Sequence, residues 1–183
     1  MISKLVVIGV GLIGGSLACA LRKAGEVERV VGVGRGIANL EQAVALGVID
    51  SYSQDAAQAV ADADMVVIGA TLGSTADILA RIAPALEPHA IVTDVGSTKA
   101  SVVAAARAAL GAQFSRFVPG HPIAGTEHSG AQAAFAELYV GHRVILTPEA
   151  DTDAQALATV QSMWQATGAR VTQMSVTDHD RVL

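Results

Sequence analysis

The chain has 183 residues, 51% of them hydrophobic and 16% charged, with a formal net charge of −5. That length fits one large domain, or one domain and the start of another, and the composition supplies a buried core and excludes a disordered chain. The acidic balance, with no basic block, excludes nucleic acid as the expected partner, because phosphate binding draws on clusters of Lys and Arg.

A single cysteine, Cys19, rules out an internal disulfide and fits a reducing, cytoplasmic setting. Aromatic residues make up only 3%, so the core is built from Ala, Val, Leu and Ile. Such cores suit parallel sheets covered by helices on both faces, whose strands read as short continuous apolar runs.

In chain order, "KLVVIGV" (Lys4–Val10) reads as a strand, followed by a helix through Ala24 that Gly25 ends as a C-cap. Leu5 to Leu21 is also uncharged and mostly apolar behind Lys4, and "SLACA" looks like a cleavage site. A signal h-region has this length. Three patterned glycines and the amphipathic helix they introduce argue for strand, turn and helix instead. The segment is also short of the roughly 20 apolar residues of a membrane span.

"RVVGVG" (Arg29–Gly34) is the second strand, with a helix near Asn39–Leu46 ended by Gly47, and a short "VIDSYS" after it. "DMVVIGAT" (Asp64–Thr71) precedes a helix from about Ser74 to Leu86, and "AIVTDVG" (Ala90–Gly96) one from about Ser97 to Leu110. "FSRFVPG" (Phe114–Gly120) is the sixth strand. "HRVILTP" (His142–Pro148), a helix near Asp153–Thr167, and "ARVTQM" (Ala169–Met174) complete the series. Met163 and Trp164 lie on that helix as packing residues, and His89 reads as a surface turn. Strand–helix alternation with short connections means an α/β fold: a doubly wound, mostly parallel sheet with right-handed crossovers, of the Rossmann type, over residues 1–174. "SVTDHDRVL" (Ser175–Leu183) reads as a helix start. So short a helix is not stable alone, so it either docks on a partner or opens a second domain.

Gly9-Val10-Gly11-Leu12-Ile13-Gly14 follows a strand and opens a helix, the context that makes the pattern a dinucleotide-binding fingerprint. Gly9 permits the tight turn, Gly11 lets backbone approach a pyrophosphate, and Gly14 lets helix and strand pack closely. The phosphates sit on the helix N-terminus, where Leu12 and Ile13 contribute the first turn. NAD-binding domains place Asp or Glu at the tip of the second strand to bond the ribose 2′-hydroxyl. Here Gly34 and then Arg35 stand there. A missing carboxylate removes repulsion against a 2′-phosphate and an arginine pairs with it, which favours NADP over NAD. The plain alternative is a solvent-facing Arg35 beside a site that takes NAD without the usual acid.

Ligands of such sheets bind outside the carboxyl ends of the strands, near the switch in strand order. Strand direction alone puts the glycine turn, Arg35, Thr71, Ser97 and His121 on that edge. His121 is the acid–base candidate, with an ordinary pKa near working pH. Ser97 stands where a helix N-cap would, and is a candidate to orient His121 as well. Asp94 reads as a structural acid at a strand end. Thr126 and Glu127 share the loop of His121 and suit a substrate mouth. His128, His142 and His179 have no spacing that makes a metal site.

"VIGVGLIGGSLA", "DVGSTKASV" and "PGHPIAGTEHSG", in that order, resemble the prephenate/arogenate (cyclohexadienyl) dehydrogenase family of tyrosine biosynthesis. The last motif is highly specific, the first generic, and the resemblance covers essentially the whole chain. "DHDRVL" is similar to the start of that family's helical second domain. The resemblance implies oxidative decarboxylation of a small cyclohexadienol, prephenate or arogenate, with hydride passing to a nicotinamide and the ring becoming aromatic. By motif position, His121 corresponds to the histidine that accepts the hydrogen bond of the ring hydroxyl. Ser97 corresponds to the serine supporting that histidine and the substrate, and Thr126 and Glu127 to residues beside the pocket.

The family's helical domain supplies dimer contacts and the arginines that hold the substrate carboxylates. Residues 175–183 reach only its start, so the 183 residues are expected to bind nucleotide and turn substrate over poorly. Thr71 departs from the proline common in that loop. A β-hydroxyacid-type dehydrogenase and a non-catalytic NADP-binding sensor share the glycine motif. The first would need a catalytic lysine in a following helix, and the second would not need His121 and Ser97.

Overall fold

Alternate residues of the first strand bury on opposite sides. Leu5 and Val7 enter one apolar cluster and Val6 and Ile8 another, so the sheet is covered on both faces and its strands read as unbroken apolar runs. The computed structural model describes residues 1–183. Six strands, β1 (Ile2–Ile8), β2 (Val27–Val33), β3 (Ser51–Ser53), β4 (Met65–Ile68), β5 (Ile91–Asp94) and β6 (Phe117–Val118), form a parallel sheet in the order β3-β2-β1-β4-β5-β6. The order reverses between β1 and β4, which opens a crevice at their carboxyl ends.

Helices α1 (Leu12–Ala24) and α2 (Ile37–Ala45) lie on one face, and α3 (Ala56–Val60), α4 (Leu72–Ile82) and α5 (Ala100–Leu110) on the other. Helix α6 (Ala154–Ala166) joins α1 and α2 and carries Met163 and Trp164 into the core, as packing residues. Residues 5–21 form β1, the turn and α1. Gly25 closes α1 in the left-handed region at φ 72°, the backbone that costs glycine least. Asp55 caps α3 and Asp153 caps α6 through their carboxylates.

The α/β series does not remain one sheet. Pro119 follows β6 and has no N–H to continue the ladder. The chain turns there into a second sheet of three strands, β7 (Gly120–Ile123), β8 (Arg143–Leu146) and β9 (Arg170–Gln173). β7 runs antiparallel to β8, with His121 opposite Ile145, and β8 runs parallel to β9. His121 therefore lies inside an edge strand of the smaller sheet, not at the tip of the sixth parallel strand. It still sits at the carboxyl edge, because the Gly120 amide donates to Asp94 at the end of β5 (3.2 Å).

Helix α7 (Val176–Val182) docks on its own domain. Ser175 caps it through the Asp178 amide (3.0 Å), and His179 is completely buried. Its neighbour Asp180 accepts from the amides of Lys99 (2.9 Å) and Ala100 (2.8 Å). Helix α5 thus begins at Ala100 and is capped by a carboxylate from α7. Ser97 lies three residues earlier, exposed, and does not cap it.

Candidate active site

The glycine turn is built as its spacing predicts. Gly9 has φ +99°, and a Cβ there would stand 2.5 Å from the Gly69 carbonyl oxygen of the adjoining strand end. A Cβ on Gly14 would meet the Gly9 carbonyl oxygen at 2.5 Å and Val7 at 2.7 Å. Gly11 differs, since a Cβ there would meet nothing within 4 Å. Its surroundings are open space at the start of α1. No side chain caps α1, so its first amides, at Leu12 and Ile13, remain as donors at the positive end of the helix.

A cleft of about 640 Å³ runs from this turn across the carboxyl ends of β1, β2 and β4. Arg35 and Gln54 line one end, and Gln54 donates to the Arg35 carbonyl (2.8 Å). Thr71, at the start of α4, lines the opposite wall with Ser74, Asp77 and Arg81. The hydroxyls of Thr71 and Ser74 are 2.9 Å apart. No carboxylate occupies the tip of β2, and Arg35 is exposed there. Room beside Gly11, free helix amides and an adjoining cleft fit a dinucleotide.

Two features here lay beyond sequence reasoning. Arg81 joins Arg35 along the cleft. Asn39 bridges two loops: its amide donates to the Val10 carbonyl (2.7 Å), and its oxygen accepts from the Ala131 amide (2.8 Å). The glycine turn is thereby tied to the segment that follows His121. Tyr139 adds a second tie, donating to the Ile13 carbonyl (2.6 Å) while its ring meets Trp164 edge-on at 5.1 Å.

His121 is half-buried, and its Nδ1 stands 2.9 Å from Nε2 of His179. His179 in turn places Nδ1 2.7 Å from the Asp180 carboxylate. Burial, then the neighbouring His179 and Lys99, push the His121 imidazole down from 6.5 to about 4, against a smaller pull from Asp180. The ring is therefore unprotonated at neutral pH and able to accept a hydrogen bond. Burial raises Asp180, but the Ala100 and Lys99 amides and His179 outweigh it and hold the carboxyl below its usual range.

Beneath His121 lies a buried ion pair. Lys99 donates to Asp94 and to the Gly120 carbonyl (2.7 Å), and Asp94 also accepts from the Gly96 (2.9 Å) and Gly120 amides. Burial pushes the lysine down and the aspartate up, each opposed mainly by its partner. Three donors on the carboxylate and two acceptors on the ammonium favour the ionised pair. Asp94 is the structural acid its position suggests, and Lys99 is its unforeseen partner.

Ser97 is exposed on the loop between β5 and α5, without a hydrogen bond to His121, whose Nδ1 is held by His179. Thr126 and Glu127 are exposed on the loop after β7, where Thr126 accepts from the His128 amide (3.2 Å). They line a recess of their own with Gln132 and Phe135, apart from the cleft beside Gly11.

Sheet order, glycine turn and cleft define a dinucleotide-binding domain. A family model described as the nucleotide-binding domain of prephenate dehydrogenase matches residues 17–173. The chain belongs to the prephenate dehydrogenase family and carries its nucleotide-binding domain. It is 38% identical over 179 residues to the cyclohexadienyl dehydrogenase of Zymomonas mobilis, covering 98% of this chain and 60% of that protein. It is 36% identical over 183 residues to the prephenate dehydrogenase of Bacillus subtilis, covering 100% and 49%. The crystal structure of prephenate dehydrogenase from A. aeolicus with hydroxyphenyl propionate and NAD+ superposes with a TM-score of 0.92 at 34% identity, covering 100% of this chain and 63% of that one. The chain thus spans about half to just under two thirds of the length of these relatives.

Proposed function

We propose that this chain is the nucleotide-binding part of an enzyme that oxidatively decarboxylates prephenate, arogenate or both. His121 carries the reading: an unprotonated imidazole, one nitrogen held and the other without a protein partner, in a strand that bonds back to the end of β5, next to the β4 end that opens on the cleft. The bound dinucleotide supplies a nicotinamide that accepts hydride from the ring carbon bearing the hydroxyl. His121 accepts the hydrogen bond of that hydroxyl and takes its proton. The ring carboxylate leaves as CO₂, its bonding pair stays in the ring, and the ring becomes aromatic. Leu12 and Ile13 hold the pyrophosphate through their amides, with Gly11 giving it room and Thr71 lining the facing wall. Ser97, Thr126 and Glu127 contribute polar groups to the substrate side.

The same reading places residues 1–174 in the dinucleotide-binding domain and residues 175–183 at the start of a helical one. That domain supplies the dimer contact and the cations for a dianionic substrate. A reducing, cytoplasmic setting suits the unpaired Cys19. We place NADP ahead of NAD, on the bare tip of β2 and on Arg35 and Arg81 along the cleft.

The test uses a chain extended to the length of the relatives. His121→Asn lowers turnover about a thousandfold with nucleotide affinity unchanged; unchanged turnover rejects the role given to His121. Arg35→Ala costs NADP about tenfold in affinity relative to NAD, measured by titration of both nucleotides. An unaltered preference defeats the 2′-phosphate argument.

A further inference from the structure

The proposed role of His121 demands a lone pair on the ring nitrogen that faces substrate. A neutral imidazole has one N–H and one bare nitrogen, and the partner of one nitrogen decides the state of the other. Nε2 of His121 has no protein partner and is not sealed from solvent, so its state is decided at Nδ1. There the only partner is Nε2 of His179.

His179 is itself constrained. The Asp180 carboxylate, ionised, is an acceptor only. Two backbone amides of the α5 N-terminus fix it in place, and Nδ1 of His179 lies 2.7 Å from its Oδ1. Nδ1 of His179 must carry the hydrogen. In the neutral ring this leaves Nε2 bare, and Nε2 accepts from Nδ1–H of His121. The hydrogen of His121 is then on Nδ1, and its Nε2 is the free acceptor. The reverse arrangement sets two lone pairs against each other, at Asp180 and His179, or needs a doubly protonated His179. Either would put the His121 hydrogen on Nε2 and turn the site from acceptor to donor. Lys99 and Asp94, packed under the same strand, bond each other and Gly120, and neither reaches the His121 ring as a hydrogen-bond partner.

We propose that His179, oriented by Asp180, is a positioning residue that fixes His121 in the Nδ1–H tautomer and so makes its Nε2 the hydrogen-bond acceptor of the reaction. This rests on the reading of His121 given above and adds to it the group that sets its tautomer.

The test reads the tautomer directly. Two-bond ¹⁵N–¹H correlation spectra of the 183-residue chain, taken at pH 8, show His121 protonated on Nδ1 and bare on Nε2. In His179→Leu the His121 ring populates the Nε2–H form, while nucleotide affinity and the remaining amide spectrum hold. In His179→Gln, whose side-chain oxygen can accept from Nδ1–H, the Nδ1–H form returns. A wild-type ring protonated on Nε2, or a tautomer indifferent to His179→Leu, overturns the proposal.

In the extended chain, His179→Leu lowers kcat about a hundredfold with KM changed far less, and His179→Gln recovers most of it. A switched tautomer with unchanged kcat also overturns it. Failure of His121→Asn to affect turnover sinks the role of His121 instead, and leaves the tautomer measurement standing as a separate result.

Discussion

Lys99 shows how one residue can be decisive and yet pass unread. Its side chain is completely buried and spans from Asp94 to the Gly120 carbonyl, directly beside His121. Removing one partner of a buried pair strands the other charge, which is worse than never having had the pair. Lys99→Met is expected to cost about 3–5 kcal/mol, seen as a lower urea midpoint with an unchanged slope. A loss under 1 kcal/mol would mean that Asp94 is satisfied by its two amides alone. The sequence offers Lys99 only as a polar residue near a predicted helix start. Nothing in its spacing says that the side chain turns inward. His179 is equally opaque: its spacing marks no metal site, and its partner is a ring 58 residues away. Gly9 and Gly14 were legible, because a glycine pattern between a strand and a helix marks the tight turn and the close packing that a Cβ would block.

Among elements, the parallel strands were legible because burial on both faces leaves an unbroken apolar run, and helix ends were legible where glycine marked them. The small sheet was not. Pro119 and Pro122 look like loop punctuation, yet Pro122 sits in β7, which is an edge strand and can spare the N–H. Helix α5 begins three residues later than the sequence suggests for a different reason: its cap is Asp180, 80 residues away. A cap supplied from so far leaves no mark near the helix. Asp180→Ala is expected to cost about 1–2 kcal/mol and to speed hydrogen exchange in the first turn of α5, with the C-terminal turn unaffected. Uniform exchange along α5 would show that the two amides find another acceptor.

For the molecule as a whole, this chain supplies the glycine turn, Arg35, Thr71 and Arg81 of the cleft, while the only side-chain cation bonded beneath His121 is Lys99, already committed to Asp94. The 183-residue chain is therefore expected to bind nucleotide as tightly as the extended chain. Its kcat/KM should be lower by at least about 10³, the scale set by losing two or three charged contacts to a dianion. Side-by-side steady-state assays decide this, and comparable turnover would show that the substrate carboxylates need nothing further.

The empty space beside Gly11 bears on how change is tolerated. At Gly9 and Gly14 a methyl group collides with the protein's own backbone, so folding and binding fail together. At Gly11 it collides with nothing of the protein, and the backbone there is extended at φ −120°, which alanine adopts freely. Gly11→Ala should melt at the wild-type temperature without nucleotide, yet lose the rise in melting temperature that bound nucleotide confers. The fold would be blind to that substitution, and only the ligand would register it. Selection against it could act through chemistry alone.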